Sequence, residues 1–104
     1  HSTSKALARR QQKRMVRQMP DLEETIELMT SSDYVDRFRA EFWQLSIRYH
    51  KLRDIITRAE DDLLDFRPRC PLYILRIQLE EMKEYLQTLQ ERAEIEGIDL
   101  EWQD

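Results

Sequence analysis

The chain has 104 residues, 40% of them apolar and 37% charged, with one glycine, three prolines and a formal net charge of −4. That length holds one domain, and the charge-rich, glycine-poor composition is that of long helices. It excludes a membrane span, because no apolar run approaches ~18 residues, and no short apolar segment follows the basic N-terminus as a signal peptide requires.

Residues 1–20 carry Lys5, Arg9, Arg10, Lys13, Arg14 and Arg17 and no acid, whereas the remainder carries 11 bases against 21 acids. The pattern predicts a basic helix over residues 3–19, begun by Ser2, Thr3 or Ser4 and closed before Pro20. Two destinations stay open for this arm: a polyanion such as nucleic acid, or acidic surface on its own body or a sister subunit. It has only Leu7, Met15, Val16 and Met19 as apolar anchors and no aromatic ring to stack on a base. His1-Ser2 reads as an appended scar, and His1 is set aside from the chemistry.

A short acidic helix follows over residues 21–30, with Asp21 as N-cap, Glu24 completing a capping box, and Leu22, Ile26 and Met29 on one side. Residues 1–30 thus form a basic helix plus a short acidic helix, ahead of a helical hairpin over residues 31–104. Thr30-Ser31-Ser32 caps the first long helix, about 33–63. Its ladder is Val35, Phe38, Phe42, Leu45, Tyr49, Leu52, Ile56, Ala59, Leu63. The second long helix, about 71–97, carries Leu72, Leu75, Leu79, Met82, Leu86, Leu89, Ala93. Spacings of three and four keep each set on one seam. The eight-residue connector, with Pro68 and Pro71, folds the helices back antiparallel. Each helix spans roughly 40–45 Å, which places Leu63 near Leu72, Ile56 near Leu79, Tyr49 near Leu86 and Phe42 near Ala93. Gly97 is a natural C-cap, and residues 98–102 form a short C-terminal tail too apolar to be simply disordered. The fold class is all-α: a long antiparallel helical hairpin with one or two shorter N-terminal helices.

Two helices bury one seam, and this chain has more apolar surface than that. Trp43 and Ile47 stand on the outer face of the first helix, and Tyr73, Ile74 and Ile77 at the start of the second, with Tyr34, Ile55 and Tyr85 flanking the seam. Either the N-terminal helices cover these groups or other subunits do. The hairpin's share of the chain favours a homo-oligomer, with Trp43, Ile47, Ile74 and Ile77 at its interface.

The residues that carry chemistry narrow the function to binding. Glu60-Asp61-Asp62-x-x-Asp65 resembles Mg²⁺-holding runs of isoprenoid enzymes, but neither a facing carboxylate cluster nor the length for a deep cavity is present, so it reads as a solvated helix end. His50 and Cys70 are far short of a zinc shell, and Cys70 has no base to make it a nucleophile. Cys70 also has no partner for an internal disulfide, which points to a reducing cytoplasm. No phosphate loop exists with one glycine. No catalytic residue, metal or cofactor is assigned, and the chain is read as a non-enzyme. Arg67 and Arg69 stand beside the N-terminus of the second long helix, with Tyr73 and Arg76 close by, a combination suited to anions and a stacked base. Arg37, Arg48, Lys51 and Arg58 stand among Tyr34 and Tyr49 on the first. They serve either as a solubilising face or as the lining of a shared pocket.

From Asp33 to Leu100 the chain resembles a family of small phage and prophage proteins typified by a crAss-like phage member. The likeness is carried by Asp33-Tyr34-x-x-Arg37-Phe38-x-x-Glu41, Leu45-x-x-Arg48-Tyr49-x-x-Leu52, Phe66-x-Pro68-x-Cys70-Pro71 and Met82-x-x-Tyr85-Leu86-x-x-Leu89-x-x-Arg92-Ala93-x-Ile95-Glu96. The connector is its most specific part. The resemblance implies a phage-encoded accessory protein of the host cytoplasm, with no functional residues to carry over. In architecture the hairpin is also similar to phage sponge proteins that sequester cyclic nucleotide immune signals between subunits. The resulting expectation is an anti-defence oligomer binding a cyclic nucleotide or ADP-ribose-like ligand. In it Arg48, Arg67, Arg69 and Arg76 would hold phosphates, and Tyr49 or Tyr73 would stack on a base. Two alternatives stand beside it. One is a protein-binding inhibitor or adaptor that masks a host defence protein through the acidic face Glu80, Glu81, Glu84, Glu91 and Glu94. The other is a dimeric DNA-binding accessory protein that uses the basic arm.

Overall fold

The computed structural model describes residues 19–102. The basic helix expected over residues 3–19 lies outside them except for Met19. A 3₁₀ turn at Leu22–Thr25 runs into the short helix α1 (Ile26–Met29), followed by the long helices α2 (Tyr34–Glu60) and α3 (Leu72–Glu96). Among the described residues there is no strand, and α2 packs along α3 as the ladders require.

Local sequence sets each boundary. Asp21 opens the 3₁₀ turn with a capping box, its backbone N–H donating to Glu24 Oε1 at 3.0 Å. Thr25, fully buried, donates to the Leu22 carbonyl at 2.6 Å and accepts from Gln44 Nε2 at 3.1 Å, which ties the short elements to α2. Asp33 caps α2 by accepting from the Val35 N–H at 3.0 Å. Ser31 braces the same turn, donating to Asp36 Oδ2 at 2.8 Å and offering its carbonyl to Arg37 Nη1 at 2.8 Å.

Both long helices end in the same way. At the end of α3, Gly97 takes a left-handed conformation (φ 68°), the Ile98 N–H reaches back to the Ala93 carbonyl (2.8 Å) and the Gly97 N–H to that of Glu94 (3.4 Å). This is a Schellman motif. At the end of α2 the left-handed position falls on Asp62 (φ 59°), with Leu63 N–H to Arg58 O at 2.7 Å and Asp62 N–H to Ala59 O at 3.2 Å. The motif stops α2 at Glu60 rather than 63. Leu63, expected on the seam opposite Leu72, is therefore outside the helix and 69% exposed.

The buried core is concentrated at one end of the hairpin. Phe38, Phe42, Trp43, Leu89 and Ala93 form it, with Leu45, Leu86, Ile98, Leu100 and Trp102 packed around them. The pairing of Phe42 with Ala93 is thus realised. Trp43 is covered by the chain's own tail. After Gly97 the backbone returns across α2, so that Trp43 Nε1 donates to the Leu100 carbonyl (2.9 Å), Arg39 Nε donates to the Asp99 carbonyl (2.7 Å), and Trp102 stands edge-on to Trp43 at 6.4 Å. Tyr34 bolts the same end, donating to Glu96 Oε1 (2.6 Å) and accepting from Arg92 Nη2 (3.0 Å), while Arg92 lies over the Phe38 ring at 4.9 Å. Toward the connector the seam is thinner. Ile56 is buried, but Leu72, Leu75, Leu79 and Met82 are only half-buried.

Candidate ligand site

Of the exposed large apolar side chains, Ile26, Met29, Tyr34, Tyr85 and Ile95 lie along the tail half of the hairpin, and the other five collect where the seam is thin. Phe66 (55%), Tyr73 (63%), Ile74 (39%) and Ile77 (52%) join Leu63 around the connector. The four residues expected at an oligomer interface therefore divide. Trp43 and Ile47 are buried, the first beneath the tail, and neither face is open to a partner. Ile74 and Ile77 remain on the surface, because no element of the described chain packs against that side of α3.

The connector brings its arginines to this same end. Arg67 lines a cleft of ≈ 400 Å³ with Ala59, Asp62, Leu64, Asp65, Phe66, Pro68 and Leu72. Arg69 is exposed, and Cys70 is a half-buried free thiol. Pro71 caps α3, its carbonyl accepting from the Ile74 and Leu75 N–H groups at 3.1 and 3.3 Å. The first turn of α3 offers its N-terminal amides here, beside exposed Tyr73. Arg76 crosses to Glu60 on α2 at 3.8 Å, with both side chains about half-exposed. A pair this wet and this long is worth well under ~1 kcal/mol, so a stronger anion displaces Glu60 at little cost.

Arg48 stands elsewhere. It is exposed on α2 and lines a groove of ≈ 360 Å³ with Met29, Arg37, Ala40, Glu41, Gln44, Leu45 and Tyr85. Glu41 accepts the Tyr85 hydroxyl proton there, and Arg37 is held by Ser31. Twelve residues separate Arg48 from Glu60, about 18 Å along the axis, so one chain does not aim Arg48 and the connector arginines at one small ligand. Tyr49, the other expected stacking ring, is half-buried, with Arg53 over it at 5.7 Å and His50 edge-on at 5.3 Å. Of the two tyrosines, Tyr73 has the more open ring.

Two groups were not legible as site residues beforehand. Phe66 extends the apolar surface between Asp65 and Arg67, and its place in the connector motif was the only hint. Trp102, Leu100 and Glu101 build a cleft against Trp43, which depends on where the tail goes after Gly97. Among the described residues no group of His, Cys, Asp and Glu has the arrangement for a metal ion, and no helix is long and apolar enough to cross a membrane.

No curated protein and no solved structure matches the chain. Residues 32–95 do match one family, from the cap of α2 through the connector to the last turn of α3, and this span contains both seams together with Arg48, Arg67, Arg69 and Arg76. On that match, which covers more than half of its length, the chain belongs to the Sequestin family.

Proposed function

We propose that this protein is a phage-encoded, non-enzymatic anti-defence protein that sequesters a nucleotide-like immune signal between copies of itself in the host cytoplasm. The observation that carries the reading is the coincidence at one end of the hairpin of Arg67, Arg69, Tyr73 and Arg76 with uncovered Phe66, Ile74 and Ile77. The family's name, which denotes sequestration, supports a binding role. Apolar side chains supply an interface, and arginines beside helix N-terminal amides supply the phosphate donors. Packing connector ends together would bring two sets of connector arginines to one ligand, whose phosphates would have to outcompete Glu60, Asp62 and Asp65 for them, and a second copy's α2 would bring Arg48 within reach that a single chain lacks.

Calorimetry against cyclic di- and trinucleotides and ADP-ribose derivatives tests the reading. Binding should be lost in Arg67→Ala/Arg69→Ala, and silence across the panel would sink it. Molar mass by light scattering tests the assembly, because a monomer removes the shared pocket. A second reading rests on the exposed acids Glu80, Glu81, Glu84, Glu91 and Glu94 of α3. They would suit an inhibitor of a basic host protein, in which case a strongly salt-dependent complex comes down from host lysate.

A further inference from the structure

Tyr85 of α3 donates its hydroxyl proton to Glu41 of α2, which sets both residues on one side of the hairpin, and Gln44 and Arg48 line the same groove. Steps of three and four residues carry that side toward the connector. On α2 it reads Arg48, Lys51, Ile55, Ala59 and, just past the helix end, Asp62. On α3 it reads Tyr85, Glu81, Gln78 and Ile74. Ile55 and Ala59 are half-buried and the rest are exposed.

Each row is matched about its own middle. On α2 a cation, Arg48, stands seven residues before Ile55, and an anion, Asp62, seven residues after it. The ion pairs of this region are Arg58 with Asp54 and Arg76 with Glu60, and among the described residues neither Arg48 nor Asp62 has an ion-pair partner. On α3 the two polar groups, Gln78 and Glu81, are flanked by Ile74 and Tyr85. The two middles also share a level. Phe42 packs with Ala93 and Arg76 meets Glu60, a register that sets Ile55 opposite residues 79–81.

A two-fold axis at that level, running across both helices, lays α2 antiparallel on a second copy's α2, and α3 on its α3. Arg48 then meets the second copy's Asp62, Ile55 meets Ile55, Glu81 meets Gln78, and Ile74 meets Tyr85. Every unlike contact occurs twice, as an isologous interface requires. An axis along the helices sets Arg48 near Thr88 and Asp62 near Ile74 instead, so the crossing axis is the one that pairs these two charges.

We propose that this face is a two-fold interface with a second copy of the chain, centred on Ile55. The pairing rests on the self-association in the proposed function and gives it a geometry. Each Arg48 arrives beside the second copy's Asp62, on the rim of the cleft that Arg67 and Phe66 line. That is the reach to a connector which Arg48 lacks within its own chain. Tyr73 and Ile77 lie on the side of α3 that faces away from α2, outside this contact, and stay free for packing between connector ends.

Light scattering on the full chain, without nucleotide and at matched concentration, tests the pairing. Arg48→Asp and Asp62→Lys each set like charges at both contacts, and each should bring the mass to half or less of its unaltered value with the helical circular dichroism retained. An equimolar mixture of these two variants restores opposite charges at both contacts and should regain the unaltered mass. Asp62→Gly suits the left-handed φ of 59° and removes the anion whether or not Asp62→Lys folds; it should weaken association about fivefold. A monomeric unaltered chain, a mixture as light as its components, or full mass in Arg48→Asp and Asp62→Gly overturns the proposal; the last is the result if residues 1–18, rather than a second copy, cover the face. A paired chain silent across the nucleotide panel sinks the sequestering reading and leaves the interface standing. Self-association and nucleotide binding that both ignore these substitutions sink the interface alone.

Discussion

Leu89→Ala should destabilise this protein more than truncation of any other leucine on the seams. Leu89 is the largest apolar side chain with no exposed surface, and it closes the cluster formed by Phe38, Phe42, Trp43 and Ala93. Full burial places the cost in the middle of the range for Leu→Ala, about 3–4 kcal/mol, because a site enclosed by three aromatic rings relaxes poorly into the space left behind. A domain of this length has on the order of 5–10 kcal/mol to lose. Leu79, only half-buried on the same seam ten residues earlier, should cost less, about 1.5 kcal/mol. Urea unfolding followed by tryptophan fluorescence and by helical circular dichroism separates the two. With a slope of about 1.5 kcal/mol per molar, Leu89→Ala moves the midpoint down by roughly 2 M and Leu79→Ala by roughly 1 M. Equal shifts at low protein concentration would refute the placement of the core at the tail end.

The two helix stops give a further pair. Gly97 sits at φ 68° with open space where a side-chain methyl would stand, so Gly97→Ala should cost about 1 kcal/mol from backbone strain alone. Asp62→Gly, at φ 59°, should leave thermal stability unchanged or raise it by about 0.5 kcal/mol. Trp43→Phe removes the donor to Leu100, and limited proteolysis should then cut after Gly97 faster than in the unaltered chain. Alkaline titration checks the tyrosine contacts. A hydrogen bond to Glu96, then burial, raises the Tyr34 hydroxyl above its ordinary value, and a hydrogen bond to Glu41, then burial, does the same to Tyr85. A folded value above the unfolded ~10 means these contacts stabilise below that pH, and the contribution is lost as pH rises through the folded values. Ultraviolet titration should resolve two late-ionising tyrosines out of four, and Tyr34→Phe/Tyr85→Phe should remove both.

The hairpin was legible because its seams repeat every three or four residues without interruption, and periodicity reports which face is buried whatever covers it. Its ends were less so. Asp62 carries no mark of a left-handed residue, and a non-glycine enters that region only when the turn around it demands it. The stop at Glu60 was therefore hidden, and with it the exposure of Leu63. The arginines of the connector were visible as a charge group beside a proline-started helix. The covering of Trp43 was not, since Gly97 announces a chain reversal without saying toward which face. A single hydrogen bond from Trp43 to Leu100 and the docking of Trp102 decide that, and neither leaves a periodic trace.

The uneven seam bears on how the molecule works. A two-helix hairpin is marginal in water by itself, because each helix covers only one stripe of the other. At the tail end the 3₁₀ turn, α1 and residues 98–102 supply the missing layers, and Phe38, Ala40 and Leu89 are sealed. At the connector end the described chain supplies none, and Tyr73, Ile74, Ile77 and Phe66 stay wet. The first end therefore holds the fold within one chain, while the second would gain burial only if copies associated, as the proposed function requires. Ile77→Asp separates these roles. It should leave the helical signal and the urea midpoint of a dilute sample within about 0.5 kcal/mol of the unaltered chain, since a half-exposed position loses little in the monomer. In concentrated samples it should lower the mass seen by light scattering and, with it, any nucleotide binding that depends on two copies. A variant that keeps full mass and full binding would show that the wet end of the hairpin serves neither purpose.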